Sequence, residues 1–184
     1  MNYQMKIAGL DRSLPLCPVS EDLYIAAFII FGDPELTTAC AKELLARVPD
    51  YDYMLTAEAK GIPLIHEMAR QAGNQRYLVA RKGAKLYMQN VFEVEVDSIT
   101  TAHKQHLYLD GHEAELMRGK RILLVDDVAS TGESLAALEK LVQHAGGTVC
   151  GRATILAEGD AQARDDLIYL EKLPVFDRNG QIKE

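Results

Sequence analysis

RILLVDDVASTGES, the stretch from Arg121 to Ser134, decides the fold of this chain. It begins with a run of apolar residues typical of a buried strand and continues into two adjacent acids, Asp126 and Asp127. A loop of small residues follows and leads into a helical pattern. Such a loop offers unpaired backbone N–H groups and the positive end of the helix dipole to an anion. The stretch therefore predicts a strand, an anion-binding loop and a helix in succession.

Strands and helices alternate on both sides of this stretch. The helix after Asp33 begins at a proline, and later helices begin near Ile62 and Leu135. This alternation predicts an α/β fold, a mostly parallel sheet with helices on both faces, whose ligands bind beyond the carboxyl ends of the strands. The predicted strands are Leu23–Phe31, Tyr53–Ala57, Tyr77–Ala80, Arg121–Val125 and Val149–Leu156.

The length of 184 residues predicts a single domain. Its core is expected at about 23–157, with a small cap, or hood, formed by about 1–22 and 159–184. The rhythm breaks between Lys82 and His106, a stretch that we expect to form either a hairpin or a mobile lid.

Composition excludes several classes of function. No apolar run approaches the ~20 residues of a membrane helix, and no secretory signal is recognisable, so we expect a cytoplasmic protein. The net charge of −7 disfavours nucleic acids and anionic membranes as partners. Three cysteines, Cys17, Cys40 and Cys150, lie far apart and are expected to be reduced thiols.

The acids and the loop after them suit one ligand. Carboxylates only accept hydrogen bonds, which fits the two hydroxyls of a ribose, while Ser130, Thr131 and Ser134 could donate to a phosphate. A ribose 5-phosphate carries both features. The alternative is that Thr131 only caps a helix and that the acids are solvated. The loop is neither a Walker A loop nor a dinucleotide fingerprint, because GK[ST] and GxGxxG are absent.

In this stretch the chain resembles the type I phosphoribosyltransferases, whose motif for phosphoribosyl pyrophosphate (PRPP) is similar to Leu124–Ser134 almost residue for residue. TAEAKG (Thr56–Gly61) resembles the pyrophosphate loop of the purine branch. ARKGAKLY (Ala80–Tyr87) resembles the basic strand end that starts the catalytic lid, which closes over the site in this family. The resemblance covers roughly 23–156.

This resemblance implies a role for each matching residue. Asp126 and Asp127 would hold the ribose hydroxyls, and Arg81 would also be catalytic. A Mg²⁺ ion would bind through PRPP, with Asp126 and Asp127 as the candidate side-chain ligands. The implied ligands of the 5-phosphate are Ala129, Ser130, Thr131, Gly132, Glu133 and Ser134, with the Glu133 side chain turned outward. The implied pyrophosphate-binding residues are Ala59, Lys60, Gly61, Arg81, Lys82 and Lys85. The family loop often contains a non-proline cis peptide bond, for which Ala59–Lys60 is the candidate.

The identity of the base stays open at this point. Adenine is the nominal choice, but the lid lacks the glutamate between tyrosines that adenine-specific members carry. The segment at Ala157–Gly159 looks closer to the xanthine and hypoxanthine-guanine members and makes Glu158 a candidate base contact. Phe176 either stacks on a purine or fills a small core in the hood.

The sequence therefore predicts an enzyme that transfers a 5-phosphoribosyl group from PRPP to a purine, and the family makes a homodimer the expectation. A second hypothesis is a regulator that binds PRPP or a nucleotide on the same fold without catalysis. That function would need a DNA-binding element, and no helix-turn-helix pattern precedes the core. A pyrimidine acceptor is a third hypothesis, which TAEAKG disfavours.

Overall fold

The structure, a computed structural model, describes residues 1–96 and 105–183. In chain order its elements are β1 (Asn2–Ile7), β2 (Leu10–Pro18), β3 (Tyr24–Ala26), α1 (Pro34–Leu45), β4 (Tyr53–Ala57), α2 (Gly61–Ala72), β5 (Leu78–Ala80), β6 (Phe92–Val96), β7 (Gln105–Leu109), α3 (Gly111–Met117), β8 (Arg121–Ala129), α4 (Glu133–His144), β9 (Thr148–Glu158), a 3-10 helix (Gly159–Ala163), β10 (Ile168–Leu173), β11 (Val175–Phe176) and β12 (Ile182–Lys183).

The main sheet contains five parallel strands in the order β10-β9-β8-β4-β5. Side chains of the central strand, β8, alternate between two buried clusters: Ile122 and Leu124 belong to one, Leu123 and Val125 to the other. Because both faces of this strand are buried, its sequence is continuously apolar rather than alternating. The predicted α/β fold with a parallel sheet is confirmed.

Helices cover both faces of the sheet. Helices α1 and α2 pack on one face, and α3, α4 and the β6-β7 hairpin pack on the other. The predicted start of α1 is correct: Pro34 is its first residue, and the Asp33 carboxylate accepts a hydrogen bond from the Leu36 N–H at 3.0 Å. Arg12 from β2 also donates to that carboxylate at 2.7 Å, which ties the hood to the helix.

The hood is an antiparallel sheet of five strands in the order β1-β2-β3-β11-β12. Its inward side chains, among them Ile7, Leu14 and Phe176, belong to the same buried cluster as Leu36 and Leu64 of α1 and α2. The hood therefore shares its core with one face of the main sheet.

The predicted boundary between core and hood differs from the structure at both ends. Within the predicted strand Leu23–Phe31 only Tyr24–Ala26 is a strand, and it pairs with β2 and β11 in the hood. At the other end β10, which we placed in the hood, pairs in parallel with β9 at the edge of the main sheet. A short apolar run has the same pattern in either sheet, so periodicity could not separate the two.

The stretch that broke the rhythm contains an antiparallel hairpin, in which Val94 pairs with Leu107. Arg81 and Tyr108 exchange two backbone hydrogen bonds of 2.8 Å, which attach the hairpin to the end of β5. Residues 97–104 of the predicted lid lie outside the described residues. Within the described ranges, no helix is long and apolar enough to cross a membrane.

Candidate active site

The two aspartates lie in β8, near its carboxyl end. The Asp127 side chain is only 4% exposed, and its Oδ2 atom lies 3.2 Å from Lys60 Nζ. The Asp127 N–H donates to Asp126 Oδ1 at 2.9 Å. Asp127 Oδ2 accepts no hydrogen bond from the described residues, so the contact with Lys60 is an ion pair without hydrogen-bond alignment. This ion pair links β8 to the loop between β4 and α2.

Burial and mutual repulsion set the electrostatics of this pair. Burial, followed by the negative charge of Asp127, raises the pKa of Asp126 to about 7. The hydrogen bond from the Asp127 N–H and the nearby Lys60 act in the opposite direction. Near neutral pH Asp126 can therefore carry a proton.

This raised pKa predicts how stability depends on pH. The folded state holds a proton on Asp126 that the unfolded chain releases near pH 3.8, so stability falls as pH rises from about 4 to 7. Replacing Asp126 by Asn should remove this loss. We expect the free energy of unfolding of Asp126→Asn, relative to wild type, to rise with pH by on the order of 1 kcal/mol per pH unit in that window. Urea titrations from pH 4 to 8 measure it, and a constant difference would contradict it.

The predicted phosphate loop joins β8 to α4. Ala129 ends the strand, and Gly132 precedes the helix with φ of 79°, a left-handed conformation that favours glycine. Ser130, Thr131 and Ser134 are exposed and Glu133 is half-buried. The contact from the Glu133 N–H to Thr131 Oγ1 is long, at 3.4 Å, so the Thr131 hydroxyl caps the helix only weakly. The loop thus presents hydroxyls and a helix N-terminus beside the aspartates.

The predicted pyrophosphate loop joins β4 to α2 and packs tightly on β8. Ala59 and Lys60 are exposed, whereas Gly61 is buried. A Cβ atom at Gly61 would collide with Thr56 Oγ1 and would lie 3.3 Å from Asp126 Oδ1. The cis peptide bond of this segment is Glu58–Ala59, one residue before the position that we considered.

Glu58 connects this loop to the basic cluster, a role that sequence reasoning missed. Its Oε1 lies 3.2 Å from Arg81 Nη2, and its Oε2 accepts the Lys82 N–H at 3.1 Å. The hydrogen bond from Lys82 and the Arg81 guanidinium lower the pKa of Glu58. Lys85 follows as a half-buried residue. The signal that could have indicated this role is that the TAEAKG motif itself contains an acid, Glu58.

A cavity of about 350 Å³ lies between hood and sheet. It is lined by Lys60 of the pyrophosphate loop, Ser130 of the phosphate loop and Glu158 at the end of β9, opposite residues 25–29. Burial raises the pKa of Glu158. The structure therefore brings together residues that are separated by almost a hundred positions in the chain.

Phe176 is not part of this cavity lining. Its side chain is 1% exposed, and its ring lies 4.9 Å from that of Tyr3, centroid to centroid. Of the two interpretations of Phe176, the packed core residue agrees with the structure, because a purine could not reach a ring that is already covered on its faces.

A larger cavity of about 650 Å³ lies elsewhere, beside α3 and the end of α4. Its lining includes Asp110, His112 and His144 but none of the predicted site residues. Of these two cavities, the smaller one is therefore the one that predicted site residues line, at the carboxyl ends of the parallel strands.

Comparisons with known proteins agree with this arrangement. Hypoxanthine/guanine phosphoribosyltransferase from Methanococcus voltae is 30% identical over 163 residues, which cover 84% of this chain and 83% of that protein. The enzyme of the same name from Methanococcus maripaludis strain C7 is 30% identical over 95% of this chain and 98% of its own length.

Solved structures share the fold. Adenine phosphoribosyltransferase from Thermoanaerobacter pseudethanolicus has a TM-score of 0.69 at 20% identity, covering 86% of this chain and 95% of that one. The Saccharomyces cerevisiae enzyme has a TM-score of 0.65 at 20% identity, covering 86% and 92%. Residues 40–176 match the family described as the phosphoribosyl transferase domain. This chain, with its aspartate pair and its two predicted anion-binding loops at the carboxyl ends of the strands, therefore belongs to the phosphoribosyl transferase domain family.

Proposed function

We propose that this chain is a purine phosphoribosyltransferase, which transfers the 5-phosphoribosyl group of PRPP to a purine and releases a nucleoside monophosphate and pyrophosphate, a reaction of purine salvage. The observation that carries the proposal is that Lys60, Ser130 and Glu158 line one and the same cavity. Identity of 30% to hypoxanthine/guanine phosphoribosyltransferases over most of the chain supports a purine as the acceptor.

Each group of the predicted site has a role in this proposal. Asp126 and Asp127 accept hydrogen bonds from the ribose hydroxyls, and the loop Ala129–Ser134 binds the 5-phosphate. The leaving pyrophosphate lies against the loop Ala59–Gly61 and the cations Arg81, Lys82 and Lys85. Lys60 lies between these groups, because it contacts Asp127 and also lines the cavity.

The distribution of charge suits this displacement. The bond between C1 of the ribose and pyrophosphate breaks, its electron pair leaves with the pyrophosphate, and a lone pair of the base nitrogen forms the new bond, while the N–H proton of the base is released to water or to the pyrophosphate. Positive charge grows on the ribose ring and negative charge on the leaving group. Carboxylates beside the ring and cations beside the pyrophosphate therefore bind the transition state more tightly than the substrates.

The aspartates also fit the Mg²⁺ ion that we propose as cofactor. Asp127 Oδ2 is buried without a hydrogen bond from the described residues, and a carboxylate oxygen is the type of ligand that Mg²⁺ prefers. Bound together with PRPP, the ion would supply positive charge beside the pyrophosphate. Over the described ranges, no cluster of three or more His, Cys, Asp or Glu side chains could hold it, so its other ligands would come from PRPP and water.

We propose Glu158 as the contact that chooses among purines. Among the described residues, its half-buried carboxylate has no ion pair or side-chain hydrogen bond, and it lines the cavity opposite residues 25–29. An ionised carboxylate accepts hydrogen bonds only, so it would face the exocyclic amino group of adenine, or the N1–H of a 6-oxopurine whose carbonyl oxygen points away from it. Adenine stays the nominal substrate of this proposal, with hypoxanthine, guanine and xanthine next.

The test is a panel of adenine, hypoxanthine, guanine, xanthine, uracil and orotate, each supplied with PRPP and Mg²⁺, with nucleotide formation followed by chromatography. We expect purines to react and pyrimidines to fail. Replacing Glu158 by Gln, which can donate as well as accept, should lower the preference for adenine over hypoxanthine by about tenfold, while the KM for PRPP stays unchanged.

Two outcomes would contradict the proposal in different ways. If PRPP binds but no base in the panel yields a nucleotide, the chain is a PRPP-binding protein without transferase activity. If transfer occurs and Glu158→Gln leaves the order of the bases unchanged, then the specificity assignment is wrong and the transferase assignment stands.

We further propose a cytoplasmic homodimer. Large apolar side chains are exposed on two segments, Ile29 and Phe31 before α1, and Leu86 and Tyr87 after the basic cluster. Exposed apolar groups of this size are typical of surfaces that bind another protein.

A further inference from the structure

Arg164 lies directly against the phosphate loop, although it is distant from that loop in sequence. It follows the 3-10 helix at the carboxyl end of β9. A Cβ atom at Gly132 would collide with Arg164 Nη1, so the guanidinium occupies the space that a side chain at position 132 would need. The left-handed φ of 79° at Gly132 independently favours glycine at this position. The loop therefore has a cation as its immediate neighbour.

An ion-pair network fixes the orientation of this guanidinium. Arg164 Nε and Nη2 donate to the two carboxylate oxygens of Asp166, both at 2.9 Å. Asp166 Oδ2 also lies 3.4 Å from Arg152 Nη1, and Arg152 Nη2 donates to Glu139 of α4 at 2.5 Å. Because α4 begins at the phosphate loop, the network ties Arg164 to the helix that carries the loop.

This geometry leaves one nitrogen available. In the part of the chain that the structure describes, the side-chain hydrogen bonds of Arg164 use Nε and Nη2, and Nη1 is the nitrogen closest to Gly132. The side chain is 31% exposed, so a ligand can reach it. Hydrogen bonding to Asp166 also raises the pKa of Arg164, which favours its cationic form.

The loop lacks positive charge of its own. Residues 129–134 contain no Lys or Arg and include one acid, Glu133. A phosphate monoester carries a charge between about −1.5 and −2 at neutral pH. The cations on the other side of the site, Arg81, Lys82 and Lys85, are assigned to the pyrophosphate, and Lys60 is paired with Asp127.

We propose that Arg164 is a further binding residue for the 5-phosphate of the substrate, with Nη1 donating a charge-assisted hydrogen bond to a phosphate oxygen. Asp166 is its positioning residue, since it holds the guanidinium in a fixed plane through two hydrogen bonds. This inference rests on the proposed function, because it requires a sugar phosphate in the loop Ala129–Ser134.

The test compares two ligands that occupy different parts of the site. Calorimetry would measure the binding of ribose 5-phosphate and of magnesium pyrophosphate to wild type, Arg164→Ala and Arg164→Gln. The Gln side chain can still donate one hydrogen bond to Asp166, so this variant keeps the test valid if Arg164→Ala folds poorly. Arg118→Ala serves as the matched control, because Arg118 is 75% exposed at the end of α3 and contacts none of these loops.

We expect both Arg164 variants to weaken ribose 5-phosphate binding by about ten- to hundredfold, the range of one charge-assisted hydrogen bond. Pyrophosphate binding should change less than about twofold, and the KM for PRPP should rise with kcat nearly constant. The loss should shrink at high salt because screening weakens the charge. Arg118→Ala should behave as wild type.

The opposite pattern overturns the proposal. If wild type binds both ligands and the Arg164 variants bind ribose 5-phosphate equally well, or lose both ligands in equal measure, then Arg164 only fastens the loop to its surroundings. If wild type binds pyrophosphate but no ribose 5-phosphate, the sugar-phosphate site itself is wrong, and the proposed function falls together with the role of Arg164.

Discussion

Replacing Asp127 by Asn is expected to lower kcat/KM for PRPP by about a hundredfold or more, while the thermal midpoint stays equal or rises. Asn keeps the size of the side chain but loses the negative charge that faces Lys60 and the growing positive charge of the ribose. The same change removes one of two neighbouring buried carboxylates and so relieves their repulsion. Steady-state kinetics and calorimetric unfolding of one preparation measure both effects.

A matched control lies at the amino ends of the strands, at the opposite end of the sheet from the site. Asp52 precedes β4 and accepts hydrogen bonds from Arg121 at the start of β8. Asp52→Asn therefore removes a carboxylate at the amino ends of β4 and β8, away from the site. The kcat/KM of this variant should equal that of wild type. Activity of Asp127→Asn within about tenfold of wild type would contradict the proposed role of Asp127.

Replacing Gly61 by Ala should have a similarly large effect on activity, with a loss of stability in addition. The added methyl group collides with Thr56 Oγ1 of β4 and approaches Asp126 Oδ1, so we expect the start of α2 to move away from β4. We expect the free energy of unfolding to fall by about 1–3 kcal/mol, as in other overpacked cores. A shift of the pyrophosphate loop of even 1 Å should lower kcat by about a hundredfold.

A double-mutant cycle separates steric from chemical causes. Thr56→Ala removes the oxygen atom that the new methyl group meets, although the Thr56 Cβ atom would remain 3.3 Å away. The double variant Gly61→Ala/Thr56→Ala should regain part of the stability that Gly61→Ala loses, a negative coupling of about 1 kcal/mol. Additive effects in urea unfolding would show that the two residues do not compete for this space.

The local architecture of the site was predictable because its signals lie close together in the chain. The apolar run of β8, the two acids and the small residues before α4 form one continuous stretch, and Asp33 with Pro34 begins α1 as expected. Burial on both faces of β8 leaves an apolar run that no surface strand would have. Local sequence patterns were therefore enough to predict these elements.

Contacts between distant segments could not be predicted in the same way. Sequence patterns gave no sign that Glu58 would bind Arg81 or that Arg164 would lie on Gly132, because both contacts depend on how the loops meet at the sheet edge. The short apolar run at Tyr24–Ala26 would suit either sheet, and the choice between the two sheets depends on pairing with β2 and β11.

The core that the hood shares with α1 and α2 has a consequence for how the enzyme selects by shape. Swinging the hood outward would split a continuous apolar cluster that includes Ile7 and Phe176, a far larger cost than one small molecule could offset. We therefore expect the gap between residues 25–29 and Glu158 to keep its width when a ligand binds. A preformed gap favours ligands that fit it without rearrangement, so accepting a larger base would require changes in the residues that line it.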